Sequence, residues 1–382
     1  MTIGNGRIRV AVLFGGRSGE HEVSIASAKS VMGAMDPERY EVLPIGITRS
    51  GRWLLAGDPL AALEARDTGE EAPQLAPSAS PAGDAVVPCP GPEGGRELVP
   101  GTSGHRFPEV DVVFPVLHGT FGEDGSVQGL LELANLPYVG AGVLGSAVGL
   151  DKVAMKAVLQ THGLPVVDYV ALTAKEWRRD RDAVVARVEE RLAYPVFVKP
   201  ANLGSSVGVS KAHDRAELGA SLDLAARFDR RLLVERAVNA REIECSVLGN
   251  DEPEASVLGE VVPSNEFYDY RAKYIDGDSA LYIPAPLPAT LAGEIRDLAV
   301  RAFLALDCAG LARADFLLCR DTERVYINEL NTLPGFTQIS MYPKLWEASG
   351  LPYSALIDRL IELAIERHEE KAGLERSYGF DH

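Results

Sequence analysis

Residues Leu311 to Thr337 read LARADFLLCRDTERVYINELNTLPGFT. Two runs, Leu311–Leu318 and Arg324–Asn331, have strand composition, and the polar break Cys319-Arg320-Asp321-Thr322-Glu323 holds turn-forming Asp and Thr. Residues two apart in a strand face the same way. Arg313 and Asp315 therefore share one face, as do Glu329 and Asn331. Folding back about Thr322 sets Asp315 opposite Glu329 and Arg313 opposite Asn331. Two carboxylates, an amide and a guanidinium then occupy one small patch. Oxygen donors without His or Cys suit a hard cation, and Mg²⁺ fits best where phosphates complete its shell. Taken alone, the hairpin reads equally well as solvent-facing charge, so its meaning depends on the rest of the chain.

The chain has 382 residues, which suggests two or three domains of roughly 150 residues. A hydrophobic content of 46% is ample for folded cores. Lys+Arg 38 against Asp+Glu 55 gives −17, a poor match for nucleic acid or an anionic membrane. Small anionic ligands stay open, because local basic residues can converge. The N-terminus, MTIGNGRIRV, has no apolar signal core, and no stretch reaches the roughly 20 apolar residues of a membrane span. Cys89, Cys245, Cys308 and Cys319 show no CxxC spacing. That argues against disulfides and a zinc site, and for a reducing cytoplasm.

From the N-terminus, Ile8–Phe14 (IRVAVLF) reads as a buried parallel strand. The turn Gly15–Glu22 and a helix over Val23–Met35 follow, the start of a doubly wound α/β unit whose helix N-terminus suits an anion. The turn is not GxGxxG. Glu22 is readable as a ligand residue or as a partner of the helix dipole. A second strand covers Glu41–Ile47. From 56 to 108 the composition turns to Ala, Pro, Gly, Ser and acidic residues, which reads as loops with one short hairpin. Val110–Leu117 is a strand ending at His118, where ligands of open α/β sheets bind, before a helix over Ser126–Ala134. Gly140–Gly149 is small-residue rich and reads as a domain boundary. A helix over Asp151–His162, a strand near Val166–Leu172 and a helix near Lys175–Leu192 precede the strand Val196–Lys199. The turn Gly204–Gly208 offers backbone N–H groups and two hydroxyls to phosphates, with Lys199 as a point charge. It lacks the GxxxxGK[ST] spacing. Glu242 and Glu244 share one face of a strand beyond Arg231–Val234. Pro263–Ser279, PSNEFYDYRAKYIDGDS, has the composition of a loop that closes over a site. Helices over Glu294–Leu306 and Tyr353–His368 flank the opening hairpin.

Seven pieces in this order resemble the D-alanine:D-alanine ligases of the ATP-grasp superfamily. They are GGRSGEHEVS (Gly15–Ser24), LHGTFGEDG (Leu117–Gly125), Asp151-Lys152, VKPANLGSSVGV (Val198–Val209), EFYDYRAKY (Glu266–Tyr274), ARADF (Ala312–Phe316) and INELNTLPGFT (Ile327–Thr337). The resemblance implies an α/β, α+β ATP-grasp fold of three domains: a doubly wound substrate domain over 1–140, a central ATP-grasp domain over 141–235, and a C-terminal ATP-grasp and metal-binding domain over 236–382. It implies joining of two D-alanines through an acyl phosphate, with ATP and two Mg²⁺ (or Mn²⁺), in a cytoplasmic homodimer that makes peptidoglycan precursors.

By the same resemblance, Asp315, Glu329 and Asn331 match metal ligands. Lys152 and Lys199 match ATP-phosphate lysines, Ser205 and Ser206 sit on the phosphate-covering turn, and Lys273 lies near the γ-phosphate. Glu235, Val238 and Glu242 fall where adenine and ribose are held. Glu22 matches the partner of the first D-alanine's ammonium, His118 a residue near that substrate, and Arg313 the group beside its developing oxyanion. Gly335 and Ser340 fall near the second D-alanine. Ser205 and Tyr274 join a hydrogen-bonded set with Glu22. The rivals are D-alanine:D-lactate and D-alanine:D-serine ligases, and a nucleotide-binding protein without turnover. Tyr274 argues against the lactate type, where phenylalanine is often found. No metal ligand or phosphate lysine is missing, which argues against a protein without turnover.

Overall fold

The computed structural model describes residues 6–55, 57–67, 86–88, 98–100, 109–262 and 280–375. The chain opens with β1 (Ile8–Gly15), α1 (His21–Ala34), β2 (Tyr40–Ile47), β3 (Trp53–Leu54), α2 (Pro59–Asp67), β4 (Val86–Pro88), β5 (Leu98–Pro100), β6 (Val112–Val116) and α3 (Ser126–Leu133). The first sheet has the order β3-β2-β1-β6, with β1 parallel to both β2 and β6. Val10, Val12 and Phe14 pack toward α1, while Ala11 and Leu13 pack toward α3. Burial on both faces is why this strand reads as an unbroken apolar run. The stretch 56–108 does contain a short hairpin, β4 with β5. It also contains α2, where loops were expected. Asp58 accepts hydrogen bonds from the Leu60 and Ala61 amides, and Leu63 enters the core, so a cap and one apolar anchor suffice for that short helix.

Next come α4 (Val143–Leu150), α5 (Lys152–Thr161), β7 (Tyr169–Thr173), α6 (Ala174–Arg179), α7 (Arg181–Arg191), β8 (Val196–Pro200), β9 (Ser210–Ala212), α8 (Arg215–Ala225) and β10 (Arg231–Arg236). They build an antiparallel sheet of order β7-β10-β8-β9. The small residues of 140–149 contribute most of α4, whose buried face is Gly145, Ser146, Gly149 and Leu150. The helix expected over 175–192 is two helices. Thr173 and Glu176 make a capping box for α6, and the Asp180 carboxylate caps α7 by accepting from the Ala183 amide.

The last stretch holds β11 (Ala240–Gly249), β12 (Glu254–Val262), β13 (Ala280–Tyr282), α9 (Ala289–Ala305), β14 (Gly310–Cys319), β15 (Val325–Asn331), α10 (Met341–Ala348) and α11 (Tyr353–Ala372). Its antiparallel sheet has the order β13-β12-β11-β14-β15. The hairpin register is the expected one, Arg313 with Asn331 and Asp315 with Glu329. Beyond Asp315 it shifts by one, and Asn328 is the extra residue of a β-bulge. The bulge lets Ile327 and Leu330, three apart in sequence, both enter one core, while Glu329 keeps the other face. α11 runs back to the first sheet, where Leu356, Leu360 and Ile361 share a core with Val10 and Val112.

Polar contacts also tie the first sheet to the loop after β15. His118 Nδ1 donates to Leu333 O (2.9 Å), the Leu333 amide donates to Glu123 Oε1 (3.0 Å), and the Phe336 amide donates to Ser27 Oγ (3.2 Å). Glu123 Oε2 also accepts from the Gly119 amide (2.6 Å). Burial first, then the Glu20 carboxylate, push the Glu123 carboxyl up to about 8 against the pull of those amides. A carboxyl raised on folding favours the folded state most fully below its unfolded value, about 4.3, and that contribution is lost as pH rises through the folded value. Glu123→Gln removes this pH-dependent term and leaves one buried amide facing an NH₂ group, at a cost of about 1–3 kcal/mol. Thermal melts of both proteins should therefore show the variant less stable at pH 5, with the gap closing toward pH 9. A gap that stays constant with pH would contradict the assignment.

Candidate active site

On β8, Val196 and Val198 point into the core, so Phe197 and Lys199 point the other way. On β10, Leu232 and Val234 are core, which turns Glu235 to the face of Lys199. Lys199 Nζ lies 2.5 Å from Glu235 Oε2, and Lys156 Nζ, from α5, lies 2.6 Å from Glu235 Oε1. Burial alone would raise the Glu235 carboxyl, but Lys156 and Lys199 outweigh it and hold it at about 2.

Asp151 caps α5 by accepting from the Val153 and Ala154 amides, which puts Lys152 in the first turn. A cation there opposes the helix dipole. Lys152 is instead held by the Leu203 carbonyl (2.9 Å) and by Glu329 Oε2 (3.3 Å). Across the hairpin, Arg313 Nε and Nη2 donate to both oxygens of Asp315 (2.7 and 2.8 Å), and Nε lies 2.9 Å from Glu244 Oε2. Asn331 Nδ2 donates to Asp315 Oδ2 (2.9 Å). Burial would pull the Arg313 proton affinity down, yet Asp315 and Glu244 raise it well above the usual value. Arg313 is a fixed cation.

These groups line two adjoining clefts. One, of about 690 Å³, holds Lys199, Ser206, Glu235, Val238, Glu242 and Asp315. Its inner wall is apolar, with Val238 against Val167, Leu317, Cys319 and Tyr326. The other, of about 600 Å³, holds Glu20, His118, Arg313, Asn331, Gly335 and Ser340. Lys152, Ser205, Glu244 and Glu329 line both, so the clefts meet at those side chains. Ser340 Oγ accepts from the Thr337 amide (3.0 Å) and sits at the start of α10.

Glu22, with Glu20, lines the second cleft. It is half-exposed on the rim of the second cleft and pairs with Arg49. Ser205 Oγ donates to Glu20 instead. The reason is helical geometry: α1 begins at His21, and two residues along a helix turn a side chain by about 200°. Room for the Glu20 carboxylate is made by two glycines, since a Cβ at Gly119 or Gly204 would lie 2.6 or 2.8 Å from its Oε2. Ser205 and Ser206 adopt left-handed backbone conformations (φ 49° and 59°), which aims the turn at that carboxylate. Lys273 and Tyr274, with the rest of Pro263–Ser279, lie outside the described residues.

His118 is buried, and both ring nitrogens are committed. Leu333 O can only accept, so Nδ1 carries the proton. Burial keeps the ring neutral, and Nε2 accepts from Ser27 Oγ (3.0 Å). These bonds fix the ring in the wall of the second cleft, which it lines. Four residues received no site role from the sequence. Glu20 lay inside the expected turn, three residues before the helix expected from Val23, and directly precedes the observed start at His21. Lys156 lies one helical turn beyond Lys152, a spacing that marks a shared face. Glu244 shares the strand face of Glu242. Glu123 lay inside the quoted GEDG turn.

The family model described as D-ala D-ala ligase N-terminus matches residues 9–141, and the one described as D-ala D-ala ligase C-terminus matches 158–362. A protein named D-alanine–D-alanine ligase from Ruminiclostridium cellulolyticum is 55% identical over 366 residues, 95% of this chain and 96% of that one. The solved D-alanine-D-alanine ligase from Coxiella burnetii superposes with a TM-score of 0.80 at 39% identity, covering 96% of each chain. The VanG D-Ala:D-Ser ligase from Enterococcus faecalis superposes at 0.81 with 35% identity, covering 94% of this chain and 99% of that one. Among the described residues, no helix is long and apolar enough to cross a membrane. With both halves of the family pattern matched in order along an ATP-grasp fold, the chain belongs to the D-alanine–D-alanine ligase family.

Proposed function

We infer that this chain joins two D-alanines to D-alanyl-D-alanine with ATP, forming ADP and phosphate, as peptidoglycan synthesis requires. The observation that carries the reading is the meeting of the two clefts at Lys152, Ser205, Glu244 and Glu329. A nucleotide in the first would present its terminal phosphate to a carboxylate in the second. Relatives with this activity in their names, at up to 55% identity among those compared, favour alanine over serine or lactate as the nucleophile.

A carboxylate is a poor acylating agent. Transfer of the γ-phosphoryl group to the first D-alanine gives an acyl phosphate and ADP. The amine of the second D-alanine then attacks the acyl carbon, phosphate leaves with the C–O bond electrons, and the ammonium loses its proton. Phosphoryl transfer between anions needs compensating charge. Lys152 and Lys199 are assigned that role at the phosphates, with the Ser205–Ser206 turn closing over them. Glu235, Val238 and Glu242 are assigned to adenine and ribose, where a carboxylate beside an apolar wall suits an amino group and hydroxyls. Arg313 is assigned to the developing oxyanion, and Gly335 and Ser340 to the second D-alanine. Glu20, wedged between Gly119 and Gly204, is assigned to the first D-alanine's ammonium in place of Glu22. Lys273 and Tyr274 keep their roles in the closing loop on the resemblance alone.

Asp315, Glu329 and the Asn331 amide are assigned to Mg²⁺. Two carboxylates and one amide are too few to close an octahedral shell, which fits an ion that is shared with phosphate. When bound, the ions would neutralise the phosphate charge and polarise the transferred group. A homodimer in the cytoplasm, and domains over 1–140, 141–235 and 236–382, complete the reading. The three larger sheets support the division, and use of ATP supports the compartment.

Phosphate release from ATP should require D-alanine and fail with L-alanine. Added D-lactate should yield no ester product. Turnover with L-alanine would overturn the substrate assignment. Glu20→Gln should raise KM for the first D-alanine by about tenfold or more, while Glu22→Gln should leave it near the parent value. The reverse pattern would restore Glu22. Asp315→Asn or Glu329→Gln should leave a folded protein with most turnover lost, since several kcal/mol of charge stabilisation disappear. Activity close to the parent in either variant would make the hairpin mere surface.

A further inference from the structure

Lys156 is 1% exposed, deeper than either lysine assigned to phosphate, and it lines neither cleft. A lysine buried to this degree is rare unless it is paired. Here it has two partners from different sheets. Its Nζ lies 2.6 Å from Glu235 Oε1 on β10, and it donates to the Asn328 backbone carbonyl on β15 at 3.2 Å. That carbonyl belongs to the extra residue of the bulge, which the strand ladder leaves over. The Asn328 side chain in turn accepts from Lys199 Nζ at 3.5 Å. Lys156, Glu235, Lys199 and Asn328 form one closed circuit beneath the junction of the two clefts.

The charge of this circuit decides what it can do. Glu235 carries one negative charge, and two ammonium groups contact its two oxygens. The three groups together keep one positive charge. Without Lys156, Glu235 and Lys199 would cancel, and a polyphosphate would have to pull Lys199 away from a buried, otherwise unpaired carboxylate. Burial lowers the proton affinity of Lys156, and Glu235 opposes that loss, so the pair is mutually dependent.

We propose that Lys156 is a positioning residue for the nucleotide: it shares Glu235, which leaves the charge of Lys199 available to the phosphates, and it pins the Asn328 bulge that turns Glu329 toward the cleft junction. This rests on the first cleft being the nucleotide site. Lys156 touches no ligand and acts through Glu235 and Asn328. Neither residue of the resemblance-based phosphate pair, Lys152 and Lys199, needs to change for the effect to appear.

The test compares the parent with Lys156→Met, Glu235→Gln and the double variant. Binding of ADP and of adenosine is measured by calorimetry without metal, alongside KM for ATP and for D-alanine and a thermal melt. For Lys156→Met the expected results are about tenfold weaker ADP binding, adenosine binding within about twofold of the parent, and a rise in KM for ATP rather than for D-alanine. The double variant removes one cation and the anion together, so Lys199 is released from its pairing with Glu235. Its ratio of ADP to adenosine affinity should exceed that of Lys156→Met, since any contact of Glu235 with adenine or ribose is lost for both ligands alike. A merely structural lysine predicts the opposite, with the double variant no better than the single one and adenosine and ADP weakened alike. That pattern, or ADP affinity in Lys156→Met within about twofold of the parent, overturns the proposal. Should Lys156→Met fail to fold, the double variant, which leaves no unpaired buried charge, decides: a ratio of ADP to adenosine affinity within about threefold of the parent's supports the circuit, because loss of Glu235 at adenine or ribose weakens both ligands alike, and a larger fall in that ratio overturns it. A parent protein that binds no ADP at all would instead defeat the reading of the first cleft.

Discussion

The pairing of β14 with β15 carries one residue too many, and much of the site depends on that misfit. An unbroken strand alternates its side chains strictly, so Ile327 and Glu329 would share a face. The bulge at Asn328 breaks the alternation. Ile327 joins Phe316 in the core, while Glu329 stands opposite Asp315 at the meeting of the two clefts. A bulge leaves a carbonyl without a ladder partner, and buried carbonyls need one. Lys156 supplies it from α5. The hairpin, the central sheet and the helix between them are thereby fixed in one arrangement.

Charge is the second constraint. The cleft junction gathers Lys152, Lys199 and Arg313 with Glu235, Glu244, Asp315 and Glu329, nearly all of them half-buried or deeper. Bringing such groups out of water is expensive unless each meets an opposite charge. The protein meets that demand by pairing every one of these cations with a carboxylate. The same pairings hold the side chains in place before any ligand arrives, which is the form of preorganisation that electrostatic catalysis needs. Glu20 extends the scheme to the first sheet. Its link to Ser205 joins residues 185 apart in sequence and closes the wall of the second cleft.

What could be read from the sequence follows from the range of the interaction that decides it. The hairpin register was legible because Asp315, Glu329, Arg313 and Asn331 obey period-two alternation about a short turn. β1 was legible because burial on both faces leaves a continuous apolar run. Other features turn on a single residue or on a distant partner. Whether Glu20 or Glu22 faces Ser205 depends on α1 starting at His21, a boundary that composition does not locate. Lys156 on an amphipathic helix reads as surface until Glu235 and Asn328 are seen beside it. The small residues of Gly140–Gly149 read as a domain boundary and not as a helix, yet smallness is what lets α4 bury its Gly145, Ser146 and Gly149 face. The split at Asp180 was hidden because arginine-rich sequence on both sides favours helix, and only the capping geometry interrupts it.

The central claim is that a nucleotide in the first cleft delivers its terminal phosphoryl group to a carboxylate in the second. Ligation can be run with D-alanine carrying ¹⁸O in its carboxylate, and the released phosphate analysed by mass spectrometry. Transfer through an acyl phosphate moves one carboxylate oxygen onto the phosphorus, so each phosphate should carry one labelled atom. Unlabelled phosphate released in step with dipeptide would contradict the account.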